Sequence, residues 1–172
     1  MTTVAEATAP AAANQGVPAI ASASGKAFLN NPVLHQEVFG PYSLVIRCAN
    51  MEEMTQVAEK LEGQLTATLM ATDQDIREHD ELVEAIKNIC GRFILNNVPT
   101  GVEVCLSMHH GGPFPASTDA RFTSVGADGI KRFARPVAFQ GWPDSLLPDE
   151  LKNANPLNIW RTVNNEVTKN SL

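Results

Sequence analysis

The chain has 172 residues, of which 44% are apolar, so it is long enough for one globular domain with a sizeable buried core. Its formal net charge of −6 makes nucleic acid and anionic membrane surfaces poor partners. No run approaches eighteen consecutive apolar residues, which argues against a membrane-spanning helix. The three cysteines, Cys48, Cys90 and Cys105, are an odd number without an obvious disulfide framework, which favours a reducing, cytoplasmic compartment.

The first 30 residues are rich in alanine and poor in large side chains. The first basic residue is Lys26, and no uninterrupted apolar run precedes a cleavage-like site, so the segment is not a convincing secretion signal. Its composition predicts a weak helix followed by a loop between Thr2 and Ser24. Such a stretch buries little surface alone. We therefore expect residues 1–30 to form an Ala-rich N-terminal segment that needs a partner surface from elsewhere.

A strand and a helix are expected next. Residues 44–49 form a short, β-branched apolar run typical of a buried strand. Asn50 is a suitable N-cap, and Glu52 and Glu53 follow it in the first turn, where the helix dipole favours negative charge. Gly63 ends this predicted helix.

The same alternation continues through a second helix. Residues 65–71 predict a strand, Thr72 or Asp73 caps the next helix, and Gly91 stops it. Residues 92–95 supply a third strand. Strands alternating with helices through short connections imply right-handed crossovers. The sequence therefore predicts an α/β fold with a parallel-sheet core and flanking helices.

Regularity ends in the stretch 96–121, which carries three glycines and three prolines. A loop of this length is either functional or packed against another surface. Helical spacing returns at residues 128–134, and residues 137–139 predict a brief strand before an irregular tail. The predicted organisation is thus a partial α/β domain over residues 31–135 and a strand with a tail over residues 136–172.

Residues 31–41 read Asn-Pro-Val-Leu-His-Gln-Glu-Val-Phe-Gly-Pro and are followed at once by the predicted strand and helix. This arrangement resembles the Glu-x-Phe-Gly-Pro segment of aldehyde dehydrogenases. Further segments that agree with this family are residues 62–69, 91–96, 111–117, 121–126 and 155–161. The later segments are similar to the branch that oxidises α-ketoglutarate semialdehyde (2,5-dioxovalerate) and includes NADP-dependent fatty-aldehyde enzymes.

The resemblance implies a piece of a longer enzyme. Family members are roughly three times the length of a typical domain, and they place a cofactor domain and a nucleophilic cysteine before this region. The family's Phe-x-x-x-Gly-Gln-x-Cys and Glu-Leu-Gly-Gly segments are missing here, and no cysteine precedes Glu37. We therefore expect a C-terminal portion in which no residue is a catalytic nucleophile or general base, and which is inactive alone.

The resemblance also implies contacts to NAD or NADP. In the complete enzyme a thiolate attacks the aldehyde, a hydride passes to the nicotinamide, and water releases the carboxylic acid. Residues two apart in an extended segment point to one side, so Glu37 can accept ribose hydroxyls while Phe39 packs beside the nicotinamide. The alternative is that Glu37 is a solvated loop carboxylate and Phe39 a core anchor.

Substrate and subunit contacts follow from the same resemblance. The loop 107–117 is expected to line the aldehyde entrance, with Phe114 forming a wall, although simple loop packing is an equal alternative. Arg121 can pair bidentately with the carboxylate of a semialdehyde acid, or it serves as a structural ion-pair partner. The family has a subunit contact near Val137–Gln140, so a homo-oligomer is expected.

Other chemistries are less well supported. His109 and His110 are adjacent in an extended loop and point apart, with no Cys, Asp or Glu at ligand-like spacing, so no metal site is predicted. A nucleophile pair of Cys105 and His109 lacks an orienting partner and an oxyanion turn. The rival to the dehydrogenase hypothesis as a whole is a self-standing, non-catalytic α/β interaction module that retained the fold.

Overall fold

The computed structural model describes residues 1–9, 12–99, 101 and 103–172. The predicted N-terminal segment includes Pro10 and Ala11, and the predicted long loop includes Thr100 and Val102; these four residues lie outside the described ones. The chain divides into two compact units, Met1–Phe133 and Ala134–Leu172. The α-helices and the parallel strand pairs of the described chain belong to the first unit.

The first unit is a mixed α/β structure with two short sheets. Its elements in chain order are β1 (Thr2–Glu6), β2 (Ala19–Ser24), α1 (Gly25–Leu29), a 3-10 helix (Pro32–His35), β3 (Tyr42–Arg47), α2 (Met51–Lys60), β4 (Gln64–Leu69), α3 (Asp73–Glu78), α4 (Asp80–Ile89), β5 (Cys90–Leu95) and a 3-10 helix (Ala127–Phe133). One sheet has the order β1-β2-β3, and the other is the pair β4-β5. The predicted α/β class is confirmed, but the strands form two sheets instead of one.

The prediction of a helix near the N-terminus is wrong. β1 runs antiparallel to β2, and β2 runs parallel to β3 in a register that joins Ala19 to Tyr42 and Ser24 to Arg47. The apolar strand β3 offers a hydrogen-bonding edge, and Ala21 and Ala23 of β2 are buried. This long-range pairing outweighs the weak helix preference of the Ala-rich sequence.

Side-chain caps begin α2 and α3 where the sequence predicts them. The Asn50 carboxamide oxygen accepts from the Glu53 backbone N–H at 2.8 Å, which starts α2. Thr72 and Asp75 form a reciprocal capping box at the start of α3. The predicted second helix is interrupted at His79, whose backbone leaves the helical region at φ −129° and ψ 49°. It is therefore two helices, α3 and α4.

The largest buried apolar side chains of the first unit lie on its helices. Phe28 of α1, Val57 and Ala58 of α2 and Leu82 of α4 are buried, and α2 packs against both α1 and α4. Gly91 is not the helix stop that the sequence predicts, because α4 ends at Ile89 and Gly91 lies inside β5. Within the described residues no helix has the length and apolar character that crossing a membrane requires.

The predicted helix at 128–134 is a 3-10 helix over Ala127–Phe133, whose i to i+3 bonding is the tighter variant of helical geometry. The described residues of the stretch 96–121 form no helix or strand, as the sequence predicts.

The second unit consists of a 3-10 turn (Asp144–Leu146) and a small hairpin, β6 (Arg161–Val163) and β7 (Glu166–Thr168). The hairpin turns at Asn164 and Asn165, which have φ of 51° and 70° as a type I′ turn requires. The predicted strand at 137–139 is wrong, because these residues pair with no neighbouring strand in the part of the chain that the structure describes. A lone extended segment has no ladder to stabilise it.

Candidate functional site

The segment 36–40 connects the 3-10 helix that ends at His35 to strand β3. Glu37 is exposed, and Phe39 is 97% exposed, so Phe39 is not a core anchor. Among the described residues, neither side chain has a hydrogen-bond or ion-pair partner. Because the ring is exposed and the carboxylate is unpaired, both groups are available to a ligand.

The structure brings Glu37 and Phe39 to one cavity of about 650 Å³. Its other lining residues include Leu34 from the preceding 3-10 helix and Tyr42 and Leu44 from β3. The lining thus combines apolar surface with a small number of polar groups, as small-molecule and cofactor sites do.

Glu37 also lines a second cavity, of about 580 Å³. It is lined by His35 and Glu37, by residues 61–66 at the start of β4, and by Pro115 and Ala116 of the 107–117 loop. The structure therefore brings the Glu37 segment and the loop predicted at the aldehyde entrance to a common cavity. Phe114 precedes the lining residue Pro115 and is itself 79% exposed.

Hydrogen bonds give the 107–117 loop a defined path. The His110 backbone N–H donates to the hydroxyl of Thr123 at 2.8 Å, and Thr123 is buried. The Ser117 hydroxyl donates to the carbonyl oxygen of Gly112 at 2.6 Å. Gly111 and Gly112 are buried as well, so the loop is packed even though it has no regular secondary structure. A packed loop can hold the wall of a site in place.

Arg121 forms a bidentate ion pair with Asp119. Its Nε donates to Oδ1 at 2.9 Å and its Nη2 to Oδ2 at 2.6 Å. The hydrogen bonds from Arg121 lower the pKa of Asp119 from 3.8 to about 2. The Arg121 side chain remains 80% exposed and lines neither of the two cavities.

The cysteines lack the surroundings of an activated nucleophile. Burial raises the pKa of the Cys48 thiol, with a further contribution from Glu53, and burial also raises the pKa of Cys90. A catalytic thiol needs the opposite shift. Cys105 is exposed, with its sulfur 3.3 Å from the Ser107 hydroxyl oxygen. In the described chain, no three His, Cys, Asp or Glu side chains gather in a group that could hold a metal ion.

His35 is a residue of this site that sequence reasoning did not single out. It lines the cavity shared by Glu37 and the loop, and it contacts Phe28 of α1 through both a hydrogen bond and its ring. Its position two residues before Glu37 was the available signal. The contact to Phe28, seven residues away, appears only in the folded chain.

Comparison with known proteins supports the family resemblance. No family model matches the chain. The chain is 48% identical over 143 residues to alpha-ketoglutaric semialdehyde dehydrogenase 2 of Azospirillum brasilense, a match that covers 83% of this chain and 27% of that protein. It is 45% identical over 168 residues to alpha-ketoglutaric semialdehyde dehydrogenase of Acinetobacter baylyi, covering 97% of this chain and 32% of that protein.

The chain therefore spans between 27% and 32% of the length of these curated relatives. This identity extends over most of the chain. It points to the same family as the motif at residues 31–41 and the later matching segments. The chain belongs to the aldehyde dehydrogenase family and corresponds to a C-terminal part of such an enzyme.

Proposed function

We propose that the chain is part of an NAD(P)-dependent dehydrogenase that oxidises α-ketoglutarate semialdehyde to the carboxylic acid. The names of the two relatives support this substrate. The observation that carries the proposal for this chain is the pairing of an unpartnered Glu37 carboxylate with the 97% exposed Phe39 ring on one cavity. In this proposal the chain supplies the cofactor end of the active site.

The two side chains fit the groups of a dinucleotide. A carboxylate can accept hydrogen bonds from both hydroxyls of a ribose, and Glu37 has no other partner among the described residues. The Phe39 ring offers a flat apolar surface to the nicotinamide and restricts its orientation. When bound, the dinucleotide supplies the hydride acceptor. The role of Glu37 and Phe39 is therefore to bind and orient.

At the substrate end, we propose that the 107–117 loop lines the aldehyde entrance and that the exposed Phe114 ring forms part of its wall. Arg121 is the candidate partner for the substrate carboxylate. Asp119 engages the Nε hydrogen and one Nη2 hydrogen, so both Nη1 hydrogens and the second Nη2 hydrogen are left for the substrate carboxylate.

The nucleophilic thiol and the general base are assigned to other parts of the complete enzyme. The raised pKa values of Cys48 and Cys90 are consistent with that assignment. The 172-residue chain alone is accordingly expected to be inactive.

A homo-oligomer is also part of the proposal. The segment Val137–Gln140 presents apolar side chains to solvent, since Val137 is 59% and Phe139 40% exposed. Exposed apolar residues of this kind are suited to a subunit contact.

The test compares the protein expressed from the complete gene with the 172-residue chain. Each is incubated with α-ketoglutarate semialdehyde and with NAD or NADP, and reduction of the nicotinamide is followed by absorbance. We expect reduction by the complete protein and none by the chain alone. A complete gene product without dehydrogenase activity would favour the rival, a non-catalytic module, and activity of the chain alone would contradict the assignment of the nucleophile.

A further inference from the structure

We propose that His35 is a positioning residue that holds Glu37 in place for the dinucleotide. This inference rests on the proposed function, in which Glu37 binds the cofactor. It assigns to His35 no contact with the dinucleotide. Its role is to fix the backbone from which Glu37 projects.

His35 contacts the buried residue Phe28 in two ways. Its Nε2 lies 2.8 Å from the carbonyl oxygen of Phe28, and the two rings stack with centroids 4.2 Å apart at an angle of 26°. Phe28 is only 2% exposed, so it is a firm anchor. Because a carbonyl oxygen only accepts, the His35 Nε2 carries the hydrogen of this bond.

Apart from a bond from the Gln36 backbone N–H to the Val33 carbonyl oxygen at 3.4 Å, the described backbone hydrogen bonds that hold the segment after His35 lie at its far end. The Ala19 backbone N–H donates to the carbonyl oxygen of Pro41 at 3.0 Å, and Tyr42 N–H donates to the Gly40 carbonyl at 2.8 Å. Between these anchors, Glu37 has no hydrogen bond of its own within the described residues. The direction of its carboxylate is therefore set by His35 on one side and by strand pairing on the other.

Two aspects of His35 can be separated by substitution. The amide nitrogen of glutamine reaches about as far along the side chain as the histidine Nε2, so His35→Gln keeps the donor and loses the ring. His35→Phe keeps the stacked ring and loses the donor. Comparing the two variants separates the effect of the hydrogen bond from the effect of ring packing against Phe28.

The experiment uses the protein expressed from the complete gene, with His35→Phe, His35→Gln and Glu37→Gln. Dinucleotide dissociation constants are measured by titration without aldehyde, and kcat and KM are measured with it. Amide hydrogen exchange of Leu34 and Gln36, whose N–H groups donate to the carbonyl oxygens of Asn31 and Val33, is followed without dinucleotide. We expect His35→Phe to raise both the dissociation constant and the KM for the dinucleotide about threefold to tenfold, as loss of one hydrogen bond does. Its kcat stays within about twofold, and exchange at Leu34 and Gln36 becomes faster.

In the same experiment His35→Gln should restore most of the affinity and of the exchange protection. Unchanged affinity and exchange in His35→Phe, alongside weaker binding in Glu37→Gln, would overturn the inference and leave the proposed function standing. Both His35 variants could instead lose kcat and thermal stability equally, with no selective change in the dissociation constant of the dinucleotide. That result would show a merely structural role for His35 and would also overturn the inference. If Glu37→Gln also binds the dinucleotide normally, the proposed function itself fails.

Discussion

Gly91 of β5 and Gly111 of the 107–117 loop touch backbone to backbone. A Cβ on Gly91 would overlap the carbonyl oxygen of Gly111, and a Cβ on Gly63, just before β4, would overlap the carbonyl oxygen of Pro113. The loop thus rests on the beginnings of both strands without intervening side chains. This close approach explains why glycine occupies the interior of β5.

We expect Gly91→Ala to destabilise the chain by about 2 kcal/mol or more, because backbone cannot yield as a flexible side chain does. The matched control is Gly129→Ala, since the nearest atom to a Cβ at Gly129 is 3.8 Å away. Urea denaturation of the two variants and the unaltered chain measures the difference. Equal midpoints for the two variants would contradict the described loop contact.

The ion pair between Asp119 and Arg121 predicts a pH effect. The pKa of Asp119 falls from 3.8 to about 2, so the carboxylate stabilises the fold above about pH 4. This contribution disappears as the pH falls from about 4 towards 2, where Asp119 becomes protonated in the folded chain. Arg121→Gln should return the pKa of Asp119 towards 3.8, as measured by carboxyl NMR titration. Lys131→Gln is the control and should leave it low.

Thiol accessibility predicts an order of alkylation. Cys105 is exposed, whereas burial raises the pKa of Cys48 and Cys90 and reduces their thiolate fraction. Treatment of the native chain with iodoacetamide near neutral pH should label Cys105 first, and peptide mass spectrometry gives the three rates. Faster labelling of Cys90 than of Cys105 would be inconsistent with the half-buried position of Cys90 at the start of β5.

The second unit depends on the side chain of Asn155. Its Nδ2 donates to the carbonyl oxygens of Ile159 at 3.0 Å and Lys169 at 2.7 Å, and Asn155 is only 6% exposed. Asn155→Asp replaces this donor by a charged acceptor facing two carbonyls, and we expect a loss of about 2 kcal/mol or more in unfolding free energy.

Asn158→Asp is the control for that change. Asn158 is exposed and has a similar positive φ of 50°, which aspartate also adopts. Thermal unfolding followed by circular dichroism should show a clear decrease in midpoint for Asn155→Asp alone. Equal midpoints would mean that the buried hydrogen bonds do not stabilise the unit.

Local signals in the sequence were sufficient to predict several elements of the fold. Asn50 caps α2 and Thr72 caps α3 because their side chains accept backbone hydrogen bonds a few residues away. Strand pairing was different. The Ala-rich segment became β1 and β2 because β3 provides a distant edge, and residues 137–139 form no strand because no partner pairs with them in the described chain. Such partners are not visible in local periodicity.

In the candidate site, too, some features follow from a sequence motif and others only from packing. The motif at residues 31–41 indicates Glu37 and Phe39, and the structure places both on one cavity, while their contact with the dinucleotide stays a prediction. The prediction that Gly91 stops a helix is wrong, because a glycine after an amphipathic helix matches the pattern of a stop signal even when it lies in a strand. Only the folded chain shows that it makes room for Gly111. The link from His35 to Phe28 likewise depends on packing.

The most direct test of the account is dinucleotide binding by the protein from the complete gene carrying Glu37→Gln. The control is Glu59→Gln, an exposed carboxylate on α2 that lines neither of the two cavities. We expect Glu37→Gln to weaken binding about tenfold or more, because hydrogen bonds to a charged acceptor are lost. Glu59→Gln should bind normally. Equal dissociation constants for the two variants and the unaltered protein would contradict the assignment of Glu37 to the cofactor.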